Sequence, residues 1–174
     1  MSDQSTQSRE AGVVVRLAAV DCAAEDGVYA GAAGVWIAPA RILGTDDQLG
    51  GYSKRASGAC APLSLWVFQD DPLALPFVFT PAVIRKIVMD NANCVMLKHE
   101  DWPGLEKIST LRNFQKDGSL RPLSILCGNG GMFLDFEMER GADGAMTGYA
   151  FPELLIDVVN LSKAGKRDAA HDLF

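Results

Sequence analysis

Cys94-Val95-Met96-Leu97 is an apolar run closed by a charge, Lys98, and followed at once by the helix-opening stretch His99-Glu100-Asp101-Trp102-Pro103. A short apolar run bounded by polar residues suits a strand covered on both faces, as in a parallel sheet. The lysine that closes it has two readings. In a βα-barrel the carboxyl ends of the strands face the active site. There a partly desolvated lysine can lose its proton and attack a carbonyl as a neutral amine. The bland alternative is a lysine that marks where a strand meets water, its stem lying along apolar surface. Glu100, two residues on, points the same way if the strand continues. It would then tune the lysine or shuttle a proton, or simply be solvated.

Runs of the same kind flank this one at residues 13–17, 34–38, 63–68, 123–127 and 144–147. Helical patterns fill the gaps. Residues 46–59 carry Leu49, Tyr52 and Ala56 at helical spacing. Thr80-Pro81 offers an N-cap and a first-turn proline, with Val83, Ile84, Ile87 and Val88 as the apolar face. Pro103 opens residues 104–115, with Leu105, Ile108, Leu111 and Phe114 on one side. Residues 132–140 lead into Gly141 as a C-cap, and Pro152 opens a helix carrying Leu154, Leu155, Val158, Val159 and Leu161 that ends near Gly165. A last helix runs from Lys166 toward Phe174, while residues 20–31 read as a short or damaged helix. The pattern is βα repeated about six times, which implies an α/β fold with a parallel sheet and crossover helices. An open doubly wound sheet and a βα-barrel both satisfy it. Length alone favours the open sheet, since a barrel needs eight units and roughly 250 residues.

The bulk numbers narrow the function classes. A chain of 174 residues can hold one domain with a substantial core. Its net charge of −6 and pI of about 4.8 speak against a nucleic-acid or anionic-membrane surface, which needs clustered Lys and Arg. No run approaches the roughly 18 apolar residues of a membrane span. Residues 1–10 are polar, lack the apolar centre of a signal peptide and read as a disordered tail, leaving residues 11–174 as the folded domain. The four cysteines, Cys22, Cys60, Cys94 and Cys127, form no CxxC pair and fit buried thiols in a reducing cytoplasm. His99 and His171 are too few and too far apart in sequence for a histidine metal cluster, and no metal site is expected.

Three further motifs stand out, the second of them for architecture more than for chemistry. Cys127-Gly128-Asn129-Gly130-Gly131 follows a strand and opens a helix, so its backbone N–H groups could receive a carboxylate or phosphate. It is neither a Walker loop nor a full GxGxxG, and a plain strand-to-helix turn explains it equally well. Gly141-Ala142-Asp143-Gly144 enters a strand that exits through Gly148-Tyr149, and Gly31-Ala32-Ala33-Gly34 is a similar entry. Gln69-Asp70-Asp71-Pro72 closes the run at 63–68 and reads as a polar loop rather than a metal site.

Taken in order, these segments resemble the dihydrodipicolinate synthase and N-acetylneuraminate lyase family, class I Schiff-base aldolases and lyases on a (βα)8 barrel. Asn93-Cys94-Val95-Met96-Leu97-Lys98-His99-Glu100 is similar to the strand carrying the family's imine-forming lysine. Phe79-Thr80-Pro81-Ala82-Val83-Ile84 resembles the helix start before it, and Ile125-Leu126-Cys127-Gly128-Asn129-Gly130 the glycine-bearing strand after it. Residues 141–148, then Phe151-Pro152-Glu153-Leu154 and Lys163-Ala164-Gly165, resemble the last strand and its helix. The resemblance makes residues 13–17 the third barrel strand, so the first two strands, with their Gly-Thr-Thr carboxylate loop, and the C-terminal helices have no counterpart. The tyrosine near the end of the family's fifth strand falls at Gln69, the arginine beyond it near Ala74, and the paired tyrosines around Ala40-Arg41.

The resemblance implies an incomplete (βα)8 barrel. It implies a lyase or aldolase acting on a 2-oxo acid such as pyruvate, with no organic cofactor or metal. Lys98 is its catalytic residue, and Gln69, Gly128, Asn129, Gly130, Gly148 and Tyr149 shape the substrate pocket. The departures argue against true dihydrodipicolinate synthesis. Two unpaired sheet edges and an exposed core leave three readings: closure by homo-oligomerisation, marginal stability, or a gene fragment. The alternatives are a catalytically inactive, truncated family member, or an open-sheet protein binding an anion at residues 128–131.

Overall fold

Parallel neighbours cannot be joined by a tight turn, because each pair needs a crossover of about a dozen residues or more. The helices between the strands supply it. The computed structural model describes residues 13–14, 34–39, 43–60, 65–70, 78–102 and 104–174. Strands β1 (Val13–Val14), β2 (Gly34–Ile37), β3 (Leu65–Asp70), β4 (Cys94–His99), β5 (Ser124–Cys127) and β6 (Gly144–Ala145) lie side by side in sequence order, every pair parallel. Helices α1 (Asp46–Ala59), α2 (Pro81–Asp90), α3 (Leu105–Lys116) and α4 (Leu134–Glu139) make the crossovers, and α5 (Pro152–Lys163) and α6 (Arg167–Leu173) follow β6. A doubly wound sheet reverses its strand order at a switch point. This sheet does not, so the fold is an incomplete βα-barrel and not the open sheet that length favoured. Among the described residues, no helix is long and apolar enough to cross a membrane.

The helix starts follow the sequence signals. Thr45 and Gln48 form a capping box at α1, with Gln48 N donating to Thr45 Oγ1 at 3.2 Å and Thr45 N to Gln48 Oε1 at 3.2 Å. Thr80 caps α2, accepting from Val83 N at 3.3 Å, and Pro81 occupies the first turn. Gly141, with φ +101, carries the chain out of α4 in the left-handed region.

Val35, Ile37, Cys94, Leu97 and Ile125 face Leu49, Ala56, Val83, Ile84, Ile87, Val88, Ile108 and Leu111 of the helices, and these residues form the core. Cys127, Leu134, Leu155, Val158 and Ala170 make a smaller cluster under α5 and α6. The other face of the sheet carries Trp36, Met96, Lys98, Ser124 and Leu126, all only partly buried. The alternation is broken once. Cys94 pairs with Trp66 but Met96 with Val67, which makes Val95 an extra residue, a bulge. Cys94 therefore stays on the helix side, although an even spacing separates it from Lys98. Burial pushes the Cys60 thiol up to about 11 and the Cys94 thiol up to about 12. It also raises Cys127, with Glu137 adding to the effect. These three free thiols are held protonated, as the sequence suggested.

Two arginines tie loops to the sheet. Arg121 donates to the carbonyls of Val88 (3.0 Å), Asn91 (2.7 Å) and Cys94. Arg112 donates from Nε to Gly141 O (2.8 Å), from Nη1 to Leu123 O (2.9 Å) and from Nη2 to Asp143 Oδ2 (2.8 Å), and Asp143 Oδ2 also accepts from Ile125 N (2.8 Å). Arg112→Ala strands two carbonyls and a carboxylate at once. We expect a loss of about 2 kcal/mol, read as a lower urea midpoint at unchanged slope. Arg112→Lys should recover little, because an ammonium cannot reproduce the fork.

Several boundaries move. The strand bearing Lys98 runs on through His99, so the lysine is not its last residue. β3, described over Leu65–Asp70, extends through Gln69 and Asp70, two residues past the expected end, while residues 15–17 and 63–64 of the expected strands lie outside the described residues. β6 is only Gly144–Ala145, although Met146 N still donates to Cys127 O at 2.8 Å. α4 starts at Leu134, after a 3-10 turn at Asn129–Gly131, rather than at residue 132. The tail at 1–10, Cys22, the helix at 20–31, the entry at 31–33, Ala40-Arg41, Asp71-Pro72, Ala74 and Pro103 lie outside the described residues.

Candidate functional site

Lys98 lies on the sheet face away from the helices. Its register neighbours are Gln69 on β3 and Leu126 on β5. Its Nζ stands 4.5 Å from the centroid of the Trp36 ring, a cation–π contact that reaches from β4 to β2. The same nitrogen forms an ion pair with Glu100 Oε1, and only 12% of the lysine side chain and 14% of the glutamate side chain are exposed. Glu100 is seated by a glycine. A Cβ on Gly128 would stand 2.2 Å from Glu100 Cγ, 2.9 Å from its Oε1 and 2.9 Å from the His99 carbonyl oxygen. The backbone closes the same corner, Gly128 N donating to His99 O at 2.7 Å. A charged amine, a carboxylate and an aromatic face therefore meet where β4 and β5 end.

His99 points the other way, its Nδ1 lying 3.3 Å from Glu137 Oε1 with both side chains buried. Gly104 leaves room for that imidazole, since a Cβ there would come within 2.3 Å of the ring. His171 sits between Asp135 Oδ2 (2.5 Å) and Glu139 Oε1 (2.7 Å), and its hydrogen bond to Glu139 raises the imidazole above its usual pKa. Both histidines thus join α4 to its surroundings on the helix side, away from Lys98.

The expected substrate-binding residues divide into two places. Lys98, Gln69 and Gly128 gather at the ends of β3, β4 and β5. Asn129, Gly130 and Tyr149 line a separate hollow of about 340 Å³ with Leu154, Leu173 and Phe174. Gly148 is exposed, and a side chain there would meet nothing within 4 Å. The anion reading of the glycine turn loses donors, because the N–H groups of Gly128, Gly131 and Met132 donate to the carbonyls of His99, Gly128 and Asn129. Trp36 carries no sequence signal of its own. It joins the site only through the pairing of β2, β3 and β4.

No protein-family model and no curated protein matches the chain. Solved structures do. A dihydrodipicolinate synthase from Rhodopseudomonas palustris is 66% identical with a TM-score of 0.87, covering 94% of this chain and 55% of that one. YagE, an E. coli K12 prophage protein of the dihydrodipicolinic acid synthase family, was solved in complex with pyruvate. It is 17% identical with a TM-score of 0.75, covering 86% of this chain and 50% of that one. A Ruminococcus gnavus sialic acid aldolase is 19% identical with a TM-score of 0.74, covering 88% of this chain and 49% of that one. The chain spans about half the length of the solved structures it matches.

Proposed function

Since the chain belongs to the dihydrodipicolinate synthase and N-acetylneuraminate lyase family, we propose that it is a Schiff-base-forming lyase or aldolase acting on a 2-oxo acid such as pyruvate, with Lys98 as the imine-forming amine. The observation that carries this reading is the setting of Lys98. It is a mostly buried amine at the carboxyl end of a barrel-type strand, with a carboxylate in contact and an aromatic ring beneath it. The neutral amine adds to the keto carbon. The resulting iminium is an electron sink that eases breaking or making a bond at the neighbouring carbon. Gln69 and Gly128 stand beside Lys98 and are the binding residues nearest the chemistry, while Asn129, Gly130, Gly148 and Tyr149 would border a longer substrate. The substrate class proposed is the 2-oxo acids, with the Gln69 departure speaking against dihydrodipicolinate synthesis itself.

The second reading is a family member that binds without turnover, and the Lys98–Glu100 ion pair is also what a purely structural lysine would make. Borohydride reduction in the presence of pyruvate separates the two. On protein shown to be folded by circular dichroism, intact mass and peptide mapping should find a single reduced pyruvyl group on Lys98. A folded chain with no adduct overturns the enzyme reading, and an adduct on another lysine overturns Lys98 as its nucleophile.

A further inference from the structure

Forming an imine at Lys98 requires protons to leave its nitrogen and reach an oxygen. In solution, water carries them. At Lys98 both the amine and its partner carboxylate are nearly nine-tenths covered, so a side chain already in contact with the nitrogen is placed to carry them instead. Among the described residues, the register neighbours of Lys98 are Gln69 and Leu126, residue types with no ionisable group, and the Trp36 ring lies against the nitrogen. His99, adjacent in the chain, faces Glu137 on the helix side. Glu100 does touch the amine, and it is held there, since the missing side chain of Gly128 is the space its Cγ and Oε1 fill.

We propose that Glu100 is the proton carrier of this site, moving protons between Lys98 Nζ and the carbonyl oxygen of the 2-oxo acid. The inference rests on Lys98 forming the imine. Glu100 first takes one proton from the ammonium, leaving a neutral amine. The amine lone pair forms the C–N bond as the carbonyl π pair moves to oxygen, and Glu100 returns its proton to that oxygen. The carbinolamine nitrogen then gives Glu100 a second proton. Glu100 passes it to the hydroxyl, the C–O bond breaks, water leaves and the nitrogen lone pair closes the C=N bond. Ammonium and ketone have become iminium and water, and Glu100 ends ionised as it began.

The test follows the rate of adduct formation on the full chain with pyruvate, by timed borohydride quenching and mass analysis. Glu100→Gln keeps the shape and removes the carrier. Adduct formation should slow about 10²-fold, the low end of what a positioned acid–base group supplies. Glu100→Asp should recover part of the rate. Glu100→Ala should speed up in proportion to added formate, a small carboxylate able to enter the vacated seat, while Glu100→Gln should ignore formate. A merely structural glutamate predicts no such rescue. Glu100→Gln reacting at the wild-type rate overturns the inference and leaves the imine reading standing. So does a folded Glu100→Ala that ignores formate. A wild-type chain that forms no Lys98 adduct overturns both together.

Discussion

Lys98→Arg should form no borohydride-trapped adduct with pyruvate near neutral pH, while its urea midpoint stays close to that of the parent chain. The guanidinium keeps what a structural role would need. It retains the positive charge over Trp36 and can pair with the Glu100 carboxylate, two contacts that arginine makes at least as well as lysine. It lacks the one property an imine needs, because a group with a pKa above about 12 does not present a neutral nitrogen near neutrality. Lys98→Ala is the weaker experiment, since it also deletes the ion pair and the cation–π contact and would mix lost chemistry with lost stability. Peptide mapping of the arginine variant gives the result its force. An adduct of undiminished yield on Lys107, for example, would assign the nucleophile elsewhere.

Gly128→Ala should be nearly as damaging, through sterics instead of chemistry. The added methyl would stand 2.2 Å from Glu100 Cγ and 2.9 Å from the His99 carbonyl oxygen, closer than such atoms approach. The glutamate can swing away. The carbonyl cannot, because it accepts the Gly128 N–H at 2.7 Å and extends the β4–β5 pairing. Moving the methyl off the carbonyl therefore strains that bond. Overpacking of this kind costs about 1–3 kcal/mol, measurable as a lower urea midpoint. The carboxylate displaced from Lys98 should slow adduct formation about 10²-fold, by the reasoning given for Glu100→Gln. Because both substitutions act on one carboxylate, their rate effects should not add. The double variant should be barely slower than Glu100→Gln alone, and a multiplicative loss would show that the glycine acts by another route.

Much of the scaffold could be read from the chain. While the Thr45–Gln48 capping box emerges only in the structure, Thr80 and Pro81 announce a helix start by chemistry local to a few residues, and the structure follows them. Apolar runs give the parallel strands for the same reason. What local pattern cannot supply is the sheet order, and with it the choice between an open sheet and a barrel wall. Length pointed one way, while the resemblance of the Lys98 strand and its neighbours pointed, correctly, the other. The lysine was visible as a charge after an apolar run, and Glu100 as a residue two positions on. Trp36 was not visible in that role. It lies 62 residues from Lys98 in sequence (98 − 36) and meets it only across the intervening β3. Arg112 and Arg121 were missed because their partners are carbonyls of distant turns, and no side-chain spacing reveals a carbonyl. The glycine turn at residues 128–131 was noticed for its amides. The structure uses its first glycine for the absence of a side chain.

The extra residue at Val95 has a consequence for how this strand can vary. Counting by twos along β4 would put Cys94, Met96 and Lys98 in one class; by environment, Cys94 belongs with Leu97 and His99. The bulge is a change of parity inside a single strand. It allows a segment to begin with a thiol locked in the interior and to end with an amine on the opposite side. Selection on the buried start and on the amine-bearing end then becomes two separable problems. A one-residue length change before Val95 alters only how the strand is anchored, whereas one after it reverses the side on which the nitrogen emerges.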